Sequence, residues 1–284
     1  MEQDTPEWHA LRATKIGASD APVIMGVSPW KTPYQLWQEK LGLVESQQSN
    51  VAMLRGKLME AQARKSFQQC TGIQIDPSVV LSKKYPWMMA SLDGIDASKT
   101  VAVEIKCPGR DDHSIALDGQ IPEKYIPQLY HQMIVCELDS IQYFSYNPTF
   151  IDENKRTKII TLKKNGGYAE SLIKKEIEFL DCWNNFREPA LNKKDFVEID
   201  NEKWDAVSEE WKEVQKSLRE LKIRDEQCRQ DLIAMAASQN AIGNGVKVCK
   251  FFRRGAVDYQ AIPELMGVEL DNYRKKPTEI WRIT

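Results

Sequence analysis

The stretch Pro86 to Pro108 reads PWMMASLDGIDASKTVAVEIKCP. It predicts two strands and a turn: WMMASL leads to Asp93-Gly94, the polar run Asp96 to Thr100 reverses the chain, and Val101 to Lys106 returns. Side chains alternate along a strand, so Val101, Val103 and Ile105 share one face and Ala102, Glu104 and Lys106 the other. Glu104 and Lys106 therefore stand about 6.5 Å apart along the chain. Asp93, at the end of the partner strand, converges on the same spot. Two carboxylates and an ammonium pack poorly but suit a hard cation, since Mg²⁺ prefers carboxylate and carbonyl oxygens, and the Ile105 carbonyl offers a third ligand.

An E-x-K pair on a strand is ordinarily a solvated face. This one differs in its setting: it lies in a strand apolar on its other side, is ended by Cys107-Pro108, and follows Asp-Gly at hairpin distance. The arrangement resembles the PD-(D/E)xK nuclease signature in the form SxDG…ExKCP. It departs from it at Leu92, where many members carry proline, a change that removes no ligand.

Composition narrows the remaining classes. A chain of 284 residues, 42% hydrophobic, holds one large domain or a domain with an appendage. Its formal net charge of −2 excludes a global basic field, so any DNA surface has to be a local patch. The six cysteines (Cys70, Cys107, Cys136, Cys182, Cys228 and Cys249) show no C-x-x-C spacing. They read as free thiols, with no zinc or iron–sulfur signature. The start is acidic and polar and no apolar run reaches about 18 residues, which predicts a soluble, cytoplasmic protein without a membrane partner.

In chain order, Glu7 to Lys15 predicts a helix. Lys15-Ile-Gly-Ala-Ser-Asp20 then opens a second one, with Ser19 or Asp20 near its N-terminus. Arg12 and Ser19 either hold a phosphate there, with backbone N–H groups, or are a surface charge and a cap. Tyr34 to Leu41 is a short helix. Met53 to Cys70 is a longer one, with Leu54, Leu58, Ala61 and Phe67 on its apolar side and Glu60 four residues before Arg64, the spacing of an ordinary ion pair. Gly72 to Ser82 predicts an edge strand. Beyond Pro108, a loop carries Asp111, Asp112 and an exposed His113 and is a candidate for substrate contact.

Pro127 suits the first turn of a helix to about Glu137, with Gln128 and Gln132 on a stripe able to face the hairpin. Strands Ile141 to Tyr146 and Lys158 to Leu162 and a helix Tyr168 to Phe186 complete an α/β order. The expected fold is a restriction-endonuclease-like core, a central mixed sheet flanked by helices.

The strings RxxxIGASD, Arg55 to Glu60 as RGxxxE, SLDG, VEIKCP, YIPQ and FSYNP resemble, in order, the YqaJ-type viral recombinase group of phage-lambda-exonuclease-like nucleases. The likeness spans residues 8 to 186. It implies a 5′-to-3′ exonuclease on double-stranded DNA ends, bacterial or phage-encoded, working as a trimeric ring with a single-strand annealing partner. It implies Mg²⁺, replaceable by Mn²⁺, on Asp93, Glu104 and the Ile105 carbonyl, with Glu60 at a second metal. Lys106 and Gln128 would position or activate the water, and Arg12, Ser19 and Ser91 would hold the terminal 5′-phosphate. A structure-selective endonuclease and a non-catalytic DNA-binding or assembly protein are the alternatives.

Residues 200 to 284 differ in character, and the expected domains are 1–199 and 200–284. Trp204, Val207, Trp211, Val214, Leu218, Leu221, Asp225, Cys228, Leu232 and Met235 follow 3,4 spacing along one long helix, a coiled-coil periodicity interrupted at Asp225. Such a seam calls for a docking surface on the body or on another subunit. After Asn244-Gly245, Val246 to Arg254 and Asp258-Tyr259 predict a small β element whose Lys247, Lys250, Arg253 and Arg254 face either DNA or solvent.

Overall fold

The computed structural model describes residues 3–45 and 51–256, then 258, 262–265, 267–268, 273 and 275. The chain divides into two compact units, Met1–Glu198 and Ile199–Thr284. Among the described residues no helix is long and apolar enough to cross a membrane.

The first unit opens with α1 (Pro6–Ala13), β1 (Ile16–Gly17), a 3-10 turn at Ala18–Asp20, α2 (Ala21–Ile24), α3 (Pro33–Lys40) and α4 (Val51–Thr71). It continues with β2 (Asp76–Leu81), β3 (Met88–Ile95), β4 (Ala102–Lys106), α5 (Arg110–Leu117), α6 (Ile126–Cys136), β5 (Ser140–Tyr146), β6 (Thr157–Lys163) and α7 (Gly166–Asn184). Helix starts follow local chemistry. Thr5 and Thr32 cap α1 and α3 by accepting the N–H groups of Trp8 and Gln35, and each is followed by a proline.

Six strands form one mixed sheet. β3 runs antiparallel to β2 and β4 and parallel to β1, β4 is parallel to β5, and β5 is antiparallel to β6. Met89 pairs with both Leu81 and Gly17, and Ile95 with both Asp76 and Ala102. Hence β2 occupies one edge of β3, while β1 and β4 share the other edge at its two ends. Between them the edge is open over residues 90–93. That opening locates the site.

Both faces of β4 are covered, so Ala102, Val103, Glu104 and Ile105 are all buried. Val103 and Ile105 pack with Phe144, Tyr146, Ile75 and the Ala63 and Phe67 side of α4. Ala102 packs with Leu129, Met133 and Tyr143 in a cluster that α6 and Leu172 of α7 close. Within that frame α4 turns differently from the expectation. Leu54 and Leu58 are 52% and 84% exposed and Ala61 is exposed, whereas Ala63 and Phe67 are fully buried. Apolar residues occur on more than one side of this helix, and the sheet selected the side that sets Phe67 against Phe144, with ring centroids 5.5 Å apart.

The predicted loop after Pro108 is the helix α5, with Asp111 and Asp112 in its first turn, where the helix dipole favours acidic groups. His113 is fully buried, not exposed. Its ring nitrogens lie 2.7 Å from Ser145 Oγ and 2.7 Å from the Lys155 carbonyl, and its edge meets Phe150. A histidine whose ring nitrogens both have partners can be buried without an unsatisfied polar group.

The second unit holds α8 (Glu202–Met235), whose start Asn201 caps by accepting the Trp204 N–H, and a hairpin of β7 (Ala241–Gly243) and β8 (Val246–Val248). Trp204, Val207, Val214, Leu218, Leu221 and Met235 along the helical seam are exposed. Asn244 and Gly245 turn the hairpin with φ of 46° and 78°, a left-handed pair that Asn-Gly adopts readily. The expected strand to Arg254 ends at Val248, because the partner strand is three residues long. Tyr259 lies outside the described residues.

Candidate active site

The hairpin forks where its chemistry begins. The β3–β4 ladder runs through Ile95↔Ala102 and Gly94↔Val103, and no further pair follows. Two residues beyond Val103, the Ile105 N–H donates to Asp93 Oδ2 at 2.8 Å. A carboxylate thus replaces the ladder partner and holds the fork open. Gly94 is required beside it: a Cβ there would come within 2.4 Å of Ile75 Cδ1.

Glu104, 2% exposed, is held from three directions. Lys106 Nζ donates to its Oε1 at 2.5 Å, Gln128 Nε2 to the same oxygen at 2.6 Å, and Gln132 Nε2 to Oε2. Lys106 Nζ also donates to Gln128 Oε1 at 3.1 Å and lies 5.2 Å from the centre of the Tyr125 ring. Gln128 and Gln132 are one turn apart on α6, so both amides meet one carboxylate. The stripe was legible; the role of Gln132 was not. Its own Oε1 has no hydrogen-bond partner among the described residues.

The electrostatics follow from crowding. Burial, then the neighbouring Glu104 charge, raise the Asp93 carboxyl well above its usual range against the pull of Lys106, and Glu60 adds to the rise. For Lys106, burial by itself would lower the pKa, but Glu104 and Asp93 outweigh it and the ammonium is held above the ordinary lysine value. Between these two carboxylates Lys106 stands as a cation and a hydrogen-bond donor. Burial also pushes the Cys107 thiol up to about 11.

This donor set fits a hard cation. Asp93, Glu104 and the Ile105 carbonyl offer only oxygens, and the repulsion that raises Asp93 is what a divalent ion would relieve. Among the described residues no three His, Cys, Asp or Glu side chains cluster at metal-ligand spacing, so an ion held here would rest on Asp93, Glu104 and the Ile105 carbonyl. Glu60 pairs with Arg64, the i,i+4 contact its spacing anticipated, while Arg64 Nε donates to the Asp93 carbonyl at 2.7 Å.

At the other end of the open edge, Arg12 donates to Ser19 Oγ at 2.6 Å, and its guanidinium lies 5.2 Å from the centre of the Trp8 ring. Trp8 Nε1 donates to Ser91 Oγ at 3.0 Å. Arg12 and Ser19 are in direct contact, and Ser91 joins them through Trp8, which the sequence reading passed over although it lies one turn before Arg12. Gly17 admits the guanidinium closely, since a Cβ there would lie 3.1 Å from Arg12 Nη1. Asp20 anchors the turn, taking Lys40 Nζ at 2.8 Å and the Gly17 N–H at 3.0 Å. Burial would raise its pKa, but Lys40 and Arg12 outweigh that and hold it at about 2.

The fold is that of the alkaline exonucleases. The alkaline exonuclease of Laribacter hongkongensis superposes with a TM-score of 0.57 at 24% identity, covering 64% of this chain and 94% of that one. Residues 7–139 match the family model described as the YqaJ-like viral recombinase domain. The relatives include the uncharacterized protein YqaJ of Bacillus subtilis (strain 168), 28% identical over 218 residues, with 71% of this chain and 66% of YqaJ covered. Protein D345L of African swine fever virus (strain Badajoz 1971 Vero-adapted) is 27% identical over 160 residues, with 45% of this chain and 44% of that protein covered. The chain thus spans less than two thirds of either relative.

Proposed function

We propose that the protein is a Mg²⁺-dependent 5′-to-3′ exonuclease on linear double-stranded DNA, leaving 3′ single-stranded overhangs for recombination by strand annealing. The observation that carries this reading is the convergence of Asp93, Glu104, Lys106 and Gln128 at one fork in the sheet. Asp93, Glu104 and the Ile105 carbonyl would hold the ion, with Glu60 beside a second one. When bound, such ions lower the pKa of a water and stabilise the charge on a departing alkoxide.

The chain's own residues supply the rest. Lys106, kept protonated between two carboxylates, donates toward the attacking water and the negative charge that builds on the phosphoryl oxygens. Gln128 bridges Lys106 and Glu104 and so fixes both before substrate arrives. Arg12, Ser19 and Ser91 receive the terminal 5′-phosphate at the opposite end of the open edge, the guanidinium as a charge-assisted donor and the hydroxyls as neutral ones. A ring-shaped homotrimer and a single-strand annealing partner belong to this proposal, as does Mn²⁺ as a substitute ion.

The experiment is Mg²⁺-dependent digestion of end-labelled linear duplex beside closed circular DNA. Linear duplex with 5′-phosphate ends is expected to be degraded, faster than 5′-hydroxyl ends, and circular DNA to be spared. Arg12→Ala should erase the difference between the two ends. Cutting of circular DNA would select a structure-selective endonuclease, and DNA binding with no cleavage under Mg²⁺ or Mn²⁺ would select a non-catalytic assembly protein.

A further inference from the structure

Trp30 is 57% exposed and, among the described residues, belongs to none of the hydrophobic clusters. It sits in the turn before α3, its N–H donating to Ser28 Oγ at 3.3 Å. One cation holds the ring: Lys124 Nζ lies 5.1 Å from its centre. Lys124 is itself fixed, paired with Asp112 at 2.7 Å and lying 5.4 Å from the centre of the Tyr125 ring. Tyr125 donates to the same Asp112 at 3.2 Å, and its ring carries Lys106 Nζ at 5.2 Å. An unbroken row of contacts, Trp30, Lys124, Tyr125, Lys106, therefore runs from an open indole to the ammonium at the centre of the site.

We propose that Trp30 and Lys124 form a nucleobase-stacking subsite for the DNA strand a few nucleotides from the scissile bond, the indole taking a base and Lys124 the adjoining phosphate. This rests on the nuclease reading and adds a contact to it. The chemistry favours a nucleic acid strand over a protein. A single flat aromatic face beside an ammonium matches the alternation of base and phosphate along a strand, and stacking on it is tolerant of sequence because every base has a π-face. A protein partner anchored on tryptophan would need an apolar surround, and this ring's partner is a lysine. Lys124 has three donors, of which Asp112 engages one, so a phosphate oxygen can be met without breaking the pair. The position also answers the chain's net charge of −2: stacking supplies affinity that charge does not.

The test measures binding, not cleavage. Full-length protein is titrated, with Ca²⁺ replacing Mg²⁺, into 5′-phosphorylated duplexes carrying 2-aminopurine at successive positions from the end of either strand. Wild type should show a stacking-induced fluorescence change at one position near the bound end. Trp30→Ala should lose it and bind about tenfold more weakly, within the 1–3 kcal/mol per base that aromatic stacking supplies. Trp30→Phe should restore most of both. Lys124→Ala should weaken binding and lower the salt slope by about one. Unchanged fluorescence and affinity in Trp30→Ala overturn the proposal. So does a loss confined to Lys124→Ala, which leaves a phosphate contact without stacking. Wild-type protein that binds no DNA at all would instead overturn the nuclease reading itself.

Discussion

The pair His131 and Glu176 sets α6 against α7 beneath the site, and both side chains are fully buried. His131 Nδ1 lies 2.7 Å from Glu176 Oε1, and Nε2 lies 3.0 Å from the Met89 carbonyl on β3. Glu176 Oε2 has no hydrogen-bond partner among the described residues. His131→Leu would leave that carboxylate unpaired in the interior, which costs about 3–5 kcal/mol. For a unit of this length each kcal/mol lowers Tm by about 2–4 °C, so a fall of about 6–20 °C is expected in calorimetry. The double variant His131→Leu/Glu176→Leu should recover most of it, since replacing a whole buried pair by apolar groups is often neutral. Activity should track the single variant's loss, because His131 lies between Gln128 and Gln132 on α6. The pH dependence has a definite sign. Burial alone would lower the His131 pKa, but Glu176 outweighs it and raises it above 6.5. The stability it brings is complete below the unfolded value and is lost as pH rises through the folded one. Wild type should therefore lose Tm relative to the double variant as pH rises above about 6.5. A single variant within about 2 °C of wild type, or a double variant less stable than either single, would refute the reasoning.

Lys106→Ala should lower cleavage by about 10²-fold or more while DNA binding changes only a few-fold, since one donor in the site is lost from a much larger contact surface. Near-normal cleavage would remove Lys106 from the mechanism. Gln132→Leu should weaken Mn²⁺ binding, read by electron paramagnetic resonance, and slow turnover about tenfold without a matching rise in KM, because Glu104 loses the donor to Oε2. Unchanged ion affinity would reduce Gln132 to packing. Deleting residues 200 to 284 should leave cleavage of short duplexes intact and impair processivity, assembly or partner recruitment, and loss of all cleavage by the folded truncation would show that the second unit belongs to the catalytic machinery.

Local patterns were enough to predict the hairpin, the shared face of Glu104 and Lys106, the Pro127 start of α6, and the long α8, because each follows from a period, a cap or a turn residue within one element. The resemblance pointed to Arg12, Ser19 and Ser91 before any geometry was known. What no local pattern carries is which side of α4 meets the sheet, that α5 buries His113, that Trp8 bridges Arg12 to Ser91, and that Gln132 holds Glu104. The α4 sequence offers more than one apolar side, and only Val103, Ile105 and Phe144 on neighbouring strands select Phe67 over Leu54 and Leu58. The sign of the Lys106 shift is of the same kind. Burial alone would have lowered its pKa; the two carboxylates that outweigh burial arrive from another strand and from two residues upstream, and their distance from it exists only once the fork has formed.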